Sequence, residues 1–176
     1  MLLDPRIIIL FGANALLLFL SSLVNSSLAA LCLYVVLLGP MIVLPALYLH
    51  HRSLTACMLI SGLWVDASLP APFGLFTCAF LLLGTLISLA RIRFRSENNY
   101  HPTLLAHAAN LSCIALITIA TGIQHFAIPA FWLQVLLTTL LSHAALLVVA
   151  PWFFNLERLL FELCHVATEP DDFPTL

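Results

Sequence analysis

Apolar runs long enough, or nearly long enough, to cross a lipid bilayer recur along this chain with only short polar breaks between them. That pattern leaves few folds open. At 1.5 Å rise per residue, a helix needs about 20 apolar residues to cross the hydrocarbon core. Ile7 to Val24 supplies 18 and is longer than a usual signal-peptide core, so it reads as a first span rather than a leader. Asn25-Ser26-Ser27 then reads as a tight polar turn of an antiparallel helical hairpin. Leu28 to Leu49 forms a second run carrying Gly39-Pro40 and Pro45. Each proline removes a donor and crowds the preceding turn, so this span should bend in its second half.

His50-His51-Arg52 closes that hairpin, and Leu54 to Val65 gives only 12 residues before Asp66 interrupts. Ala67 to Pro72 reads as a loop or re-entrant turn, because two prolines in three residues cannot continue a helix. Phe73 to Ala90 is a fourth span, followed by the polar segment from Arg91 to His101. Pro102 suits a first helical turn, Thr103 to Ile123 makes a fifth span, and Ala130 to Val149 a sixth. Pro151 should break the last span. Trp152 to Val166 should then lie on the membrane surface, ahead of a disordered acidic tail from Glu169 to Leu176. The expected architecture is all-α: a six-helix transmembrane bundle over residues 1–150, then a cytoplasmic amphipathic helix and tail over 151–176.

Composition closes the soluble alternative. Only 8% of residues are charged and 62% are hydrophobic, where a soluble domain carries roughly a quarter charged. A net charge of −2 with no dense basic patch gives no footing for a nucleic-acid partner. The five cysteines show no C-x-x-C pair and mostly fall in apolar runs, where cysteine packs as a small hydrophobe.

Orientation follows from the arginines, because the chain has no lysine. With a cytoplasmic N-terminus and six spans, Arg6, Arg52, Arg91, Arg93, Arg95 and Arg158 all fall on one side. The positive-inside rule then places both termini in the cytoplasm. Omitting the short third segment would split the arginines between two faces, so that segment should cross.

Several polar residues interrupt the apolar background. Asp66 reads either as a solvated residue at the outer interface, or as an anion held by an arginine, a helix N-terminus or a partner. The outer side has no basic residue, which argues against an internal salt bridge. His107 and Asn110 in the fifth span and His143 in the sixth lie at similar depth and form a possible polar cluster. Interhelical hydrogen bonding is one reading, and haem or metal ligation the other. Asn14 in the first span should face a neighbouring helix. Ala106, Ala109 and Cys113, and less clearly Gly12, Ala15 and Phe19, form stripes of the kind that let membrane helices approach, within this bundle or against another protein. Asn155, Arg158, Glu162 and His165 share one face of the C-terminal segment, with Trp152 at its start, a pattern that suits an interfacial anchor or, equally, a face that docks a partner. No H-E-x-x-H, G-x-S-x-G, Walker or Rossmann pattern occurs, so no enzyme activity, cofactor or metal is indicated.

The stretch from Gly62 to Leu75 combines Gly62, Asp66 four residues on, a proline-bearing loop, Gly74 and a long apolar helix. This resembles the central motif of the rod shape-determining protein MreD family, and Pro151-Trp152-Phe153-Phe154 followed by Arg158 is similar to the end of that family's last span. The prolines of Leu69-Pro70-Ala71-Pro72 and the absence of lysine depart from the family pattern. The resemblance implies a bacterial cytoplasmic-membrane scaffold of the wall-elongation complex, binding MreC and, through the complex, RodA, a penicillin-binding transpeptidase and MreB. It also implies a fold like the substrate-binding subunits of energy-coupling-factor vitamin transporters, with Gly62, Asp66 and Gly74 as recurrent positions. The alternatives are such a transport subunit, with Asp66, Asn110 and the membrane histidines lining a pocket, and a haem-binding electron carrier.

Overall fold

The computed structural model describes residues 5–94 and 100–165, and every regular element among them is helical. Six α-helices follow in order: α1 Pro5–Leu28, α2 Gly39–Tyr48, α3 His51–Ser68, α4 Leu75–Phe94, α5 Tyr100–Gly122 and α6 Pro129–Leu163. Short 3-10 turns at Ala29–Leu31 and Ile123–His125 follow α1 and α5. Among the described residues, three stretches are long and apolar enough to cross a membrane: Pro5–Leu31, His101–His125 and Pro129–Leu163. Short connections reverse the chain at each step. Chain order therefore brings the starts of α1 and α3, bearing Arg6 and Arg52, to the same end of the bundle as the last turns of α4 and α6. Arg95 and the acidic tail lie outside the described residues.

The centre of the bundle is α2. Its sequence Gly-Pro-Met-Ile-Val-Leu-Pro-Ala-Leu-Tyr offers no polar face, and a helix apolar all round must be surrounded. Gly39 to Leu47 are all buried, with α1, α3, α4, α5 and α6 packed around them. The crossing with α5 is close. A Cβ at Gly39 would collide with the backbone carbonyl of Ala106, so only glycine permits that approach. The stripe Ala106, Ala109 and Cys113 is buried and thus faces its own bundle. The α1 stripe behaves otherwise, since Gly12 and Phe19 are exposed.

The second apolar run is not the single bent helix expected over Leu28 to Leu49. Asn25-Ser26-Ser27 belong to the last turns of α1, and the chain reverses later, through Cys32 at φ 54°. Residues 33–38 are non-helical, and α2 starts at Gly39. The reason lies in Pro40. Continuing the helix upstream would leave the Val36 carbonyl without its i+4 donor, because proline has no N–H. Starting the helix at Gly39 instead puts Pro40 where no donor is needed.

Pro45 does stand inside α2, and it strips the Met41 carbonyl of its donor. Asn14 of α1 fills that gap. Its Nδ2 donates to Met41 O at 3.2 Å and to Ser61 Oγ of α3, also at 3.2 Å. One buried asparagine thereby ties three helices together.

The last helix also departs from expectation. Instead of breaking at Pro151, α6 continues to Leu163, a 35-residue rod about 52 Å long. A single proline forfeits one helical bond at Leu147, while Phe153, Phe154 and Phe161 beyond it are buried against the bundle. The packing outweighs the break. Residues 152–163 are therefore the end of α6 and not a separate helix; Asn155 and Glu162 still lie on its exposed side.

Candidate functional site

The motif residues Gly62, Asp66 and Gly74 converge on one feature, the start of α4. An α-helix leaves its first N–H groups without internal acceptors. Here Asp66, near the end of α3, supplies them. Its Oδ1 accepts the Phe76 N–H at 2.9 Å, and its Oδ2 accepts the Thr77 N–H at 3.0 Å and the Thr77 hydroxyl at 2.5 Å. The carboxylate is 5% exposed and lies at the positive end of the α4 dipole, where a negative charge is favoured. Of the arrangements open to Asp66 from sequence, the structure has the helix N-terminus.

Gly62 lies one turn before Asp66 on the same face of α3. A Cβ there would sit 2.6 Å from the Thr77 Cα, so a side chain would push α4 away. Gly74 has φ +93°, a conformation that L side chains rarely adopt, and it turns the chain out of the proline-bearing loop into α4. The three residues thus act on one hairpin: spacing, charge and turn.

A second polar centre supports the non-helical segment 33–38. In a membrane, such backbone persists only where its hydrogen bonds are met by protein or water. Asn25 brackets Val35, accepting its N–H at 2.7 Å and donating to its carbonyl at 2.9 Å. Ser142 of α6 accepts the Val36 N–H at 2.9 Å. Asn110 of α5, fully buried, donates to the Val36 carbonyl at 2.8 Å and accepts the N–H groups of Leu38 and Gly39 at 3.0 and 3.2 Å. It is the missing cap of α2, supplied from another helix.

The proposed cluster of His107, Asn110 and His143 is therefore divided. The histidines pair with each other: their Nδ1 atoms are 2.7 Å apart and their rings stack at 5.0 Å between centroids. One Nδ1 donates and the other accepts. Two nitrogens on one tetrahedral metal, at bonds of about 2.0 Å each, would stand about 3.3 Å apart, farther than this pair. Among the described residues, no three His, Cys, Asp or Glu side chains gather as a metal site. Asn110 points instead to the α2 start. Trp152 and Arg158 lie apart from both centres, Trp152 exposed and Arg158 half-buried on α6.

Several residues escaped the sequence reading. Ser142, Ser61 and Thr77 carry no signal, since isolated hydroxyls are ordinary in apolar helices. Asn25 was legible as polar but assigned to a turn. Glu157 is fully buried, and neither carboxyl oxygen has a hydrogen-bond partner among the described residues. Its one sequence mark is the four-residue spacing Phe153, Glu157, Phe161, which puts it on an aromatic face.

The bundle also holds a cavity of about 860 Å³ at the end opposite Arg6 and Arg52, between the later turns of α1, α3 and α5 and the first turns of α6. Asp66, Asn110, His107 and His143 are not in its lining.

What fold and site define is a class: a helical protein with three helices able by length and apolarity to cross a membrane, whose buried amides and Asp66 serve its own backbone. No family model, no curated protein and no solved structure matches the chain.

Proposed function

We propose that the chain is a non-enzymatic scaffold of the MreD type, spanning the bacterial cytoplasmic membrane six times with both termini in the cytoplasm. In that role it binds MreC and helps to hold RodA, a penicillin-binding transpeptidase and MreB in the wall-elongation complex. The observation that carries this reading is the expenditure of the membrane-depth polar groups. Asp66, Asn14, Asn25 and Asn110 each satisfy backbone of the same chain, so these four side chains are spent on the frame itself. Such groups build a rigid frame, and rigid frames suit docking. The resemblance over Gly62, Asp66 and Gly74 gains a physical rationale, since all three positions shape one hairpin. The arginines at one end of the bundle agree with the proposed orientation.

The role is tested by depletion in the host from which the chain comes, which this reading expects to be a rod-shaped bacterium. Loss of the protein should turn rods into rounded cells, with shape restored by re-expression. Unchanged rod shape after complete depletion would contradict the proposal.

A further inference from the structure

The cavity noted above is independent of the scaffold reading and has its own chemistry. None of its lining residues is Asp, Glu, Lys, Arg or His. An ion of either sign would be desolvated there without a counter-charge, so the walls select a neutral occupant. Phe19, Trp64 and Phe131 supply broad apolar surface. At about 860 Å³, the volume lies within the roughly 300–1,000 Å³ range that holds drug-sized ligands.

The polar side of the cavity is specific. Thr118 and Thr121 donate their hydroxyl protons to the carbonyls of Ile114 and Ile117, leaving oxygen lone pairs as acceptors. The wall also contains the non-helical segment with its alternating hydrogen bonds. Val35 is met by Asn25, Val36 by Ser142 and Asn110, and Leu38 by Asn110. Between them, the Leu37 N–H has no hydrogen-bond partner among the described residues, and Leu37 lines the cavity. An unmet backbone donor between Val36 and Leu38, whose N–H groups are both met, beside hydroxyl acceptors and aromatic walls, describes half of an interaction. The other half is a molecule with an acceptor for Leu37, hydroxyl donors for the threonines and an apolar body.

We infer that this cavity binds a neutral, hydroxyl-bearing amphiphile, of the chemistry shared by acylglycerols and alkyl glycosides. The exposed Phe19, Tyr34 and Gln134 mark its open side. Such a molecule enters either from the membrane leaflet at that end of the bundle or from the adjoining solution.

The test uses the full chain in liposomes and photocrosslinking. One arm carries a diazirine-bearing monoacylglycerol in the bilayer. A second adds a diazirine-bearing alkyl glucoside from the aqueous phase. A third uses a diazirine-bearing fatty acid, the anionic counterpart. At least one neutral probe should label residues 34–38 and 114–121, with the fatty acid labelling them about tenfold less. Labelling by the monoacylglycerol alone assigns a lipid source, and labelling by the glucoside alone a soluble one. Ser22→Trp and Thr118→Trp fill the cavity from two different helices and should each lower labelling about tenfold. Leu133→Trp, exposed on α6 away from the lining, should leave it unchanged. Folding of each variant is checked by size-exclusion chromatography, and either filling variant suffices if the other misfolds. Absence of labelling by both neutral probes, equal labelling by the fatty acid, or labelling unchanged in a folded filling variant would overturn the inference.

Discussion

Asp66 and Thr77 are joined twice, once through the Thr77 backbone N–H at 3.0 Å and once through its hydroxyl, across a loop containing two prolines. Thr77 also lies against Gly62, so the residue that takes up the carboxylate is the one that needs the glycine. This neighbourhood fixes the turn end of the α3–α4 hairpin, and the two helices pack again farther along, where Gly84 lies against Met58. A buried carboxylate that costs several kcal/mol when unsatisfied thereby becomes a helix cap.

Replacing Asp66 should accordingly destabilise the fold. Asp66→Ala orphans the Phe76 and Thr77 N–H groups and should cost about 1–3 kcal/mol. Asp66→Asn keeps one acceptor oxygen and should lose less. Thermal unfolding in detergent measures both. An alanine variant as stable as the parent would show that the contacts do not contribute.

Gly62 and Gly12 make a matched pair on neighbouring helices. Gly62→Ala must displace the α4 backbone and should lower stability by about 1–3 kcal/mol. At Gly12 nothing lies within 4 Å of an added Cβ, so Gly12→Ala should leave the melting temperature unchanged or raise it. Equal effects at the two sites would contradict the close α3–α4 crossing.

Asn110 is the most consequential amide. Asn110→Leu leaves two N–H groups and one carbonyl unmet at the start of α2, for a cost of at least about 3 kcal/mol. Ser142→Ala removes a single acceptor and should cost about 1 kcal/mol. Hydrogen exchange at residues 36–39, followed by mass spectrometry, should accelerate in both and more in the first. Slow exchange in folded Asn110→Leu would mean that other groups support the segment.

The histidine pair couples α5 and α6 independently of these centres. A double-mutant cycle over His107→Leu and His143→Leu should give a coupling of about 0.6 kcal/mol, the average for hydrogen bonds between membrane helices, and at most about 1.7 kcal/mol. A coupling of zero would mean that the 2.7 Å contact is not a stabilising bond.

The legible and illegible parts of this chain differ for physical reasons. Apolar run lengths located most of the helices, because lipid-facing and core-facing positions are both apolar, but the polar Asn25-Ser26-Ser27 belongs to α1 and is not the turn its composition suggests. The same signal concealed the interruption at residues 33–38. An extended apolar segment and a helical one have the same hydropathy. What stabilises the non-helical form is Asn25 together with Asn110 and Ser142, and the last two lie more than 70 residues away. Pro40 and Pro45 were visible, but their effects depend on acceptors and donors from other helices. Pro151 looked like a stop because its cost is local, whereas the burial of Phe153, Phe154 and Phe161 that offsets it is tertiary. At the candidate site, Gly62, Asp66 and Gly74 stood out by type and spacing. Thr77, the partner common to Gly62 and Asp66, was invisible.

Binding to MreC tests the scaffold account most directly. The full chain, affinity-tagged and co-expressed with MreC from the same host, should retain it in near-equal amounts through purification in mild detergent, with an unrelated six-span protein retaining none. Repeated failure to recover MreC, with both proteins expressed and folded, would contradict the account.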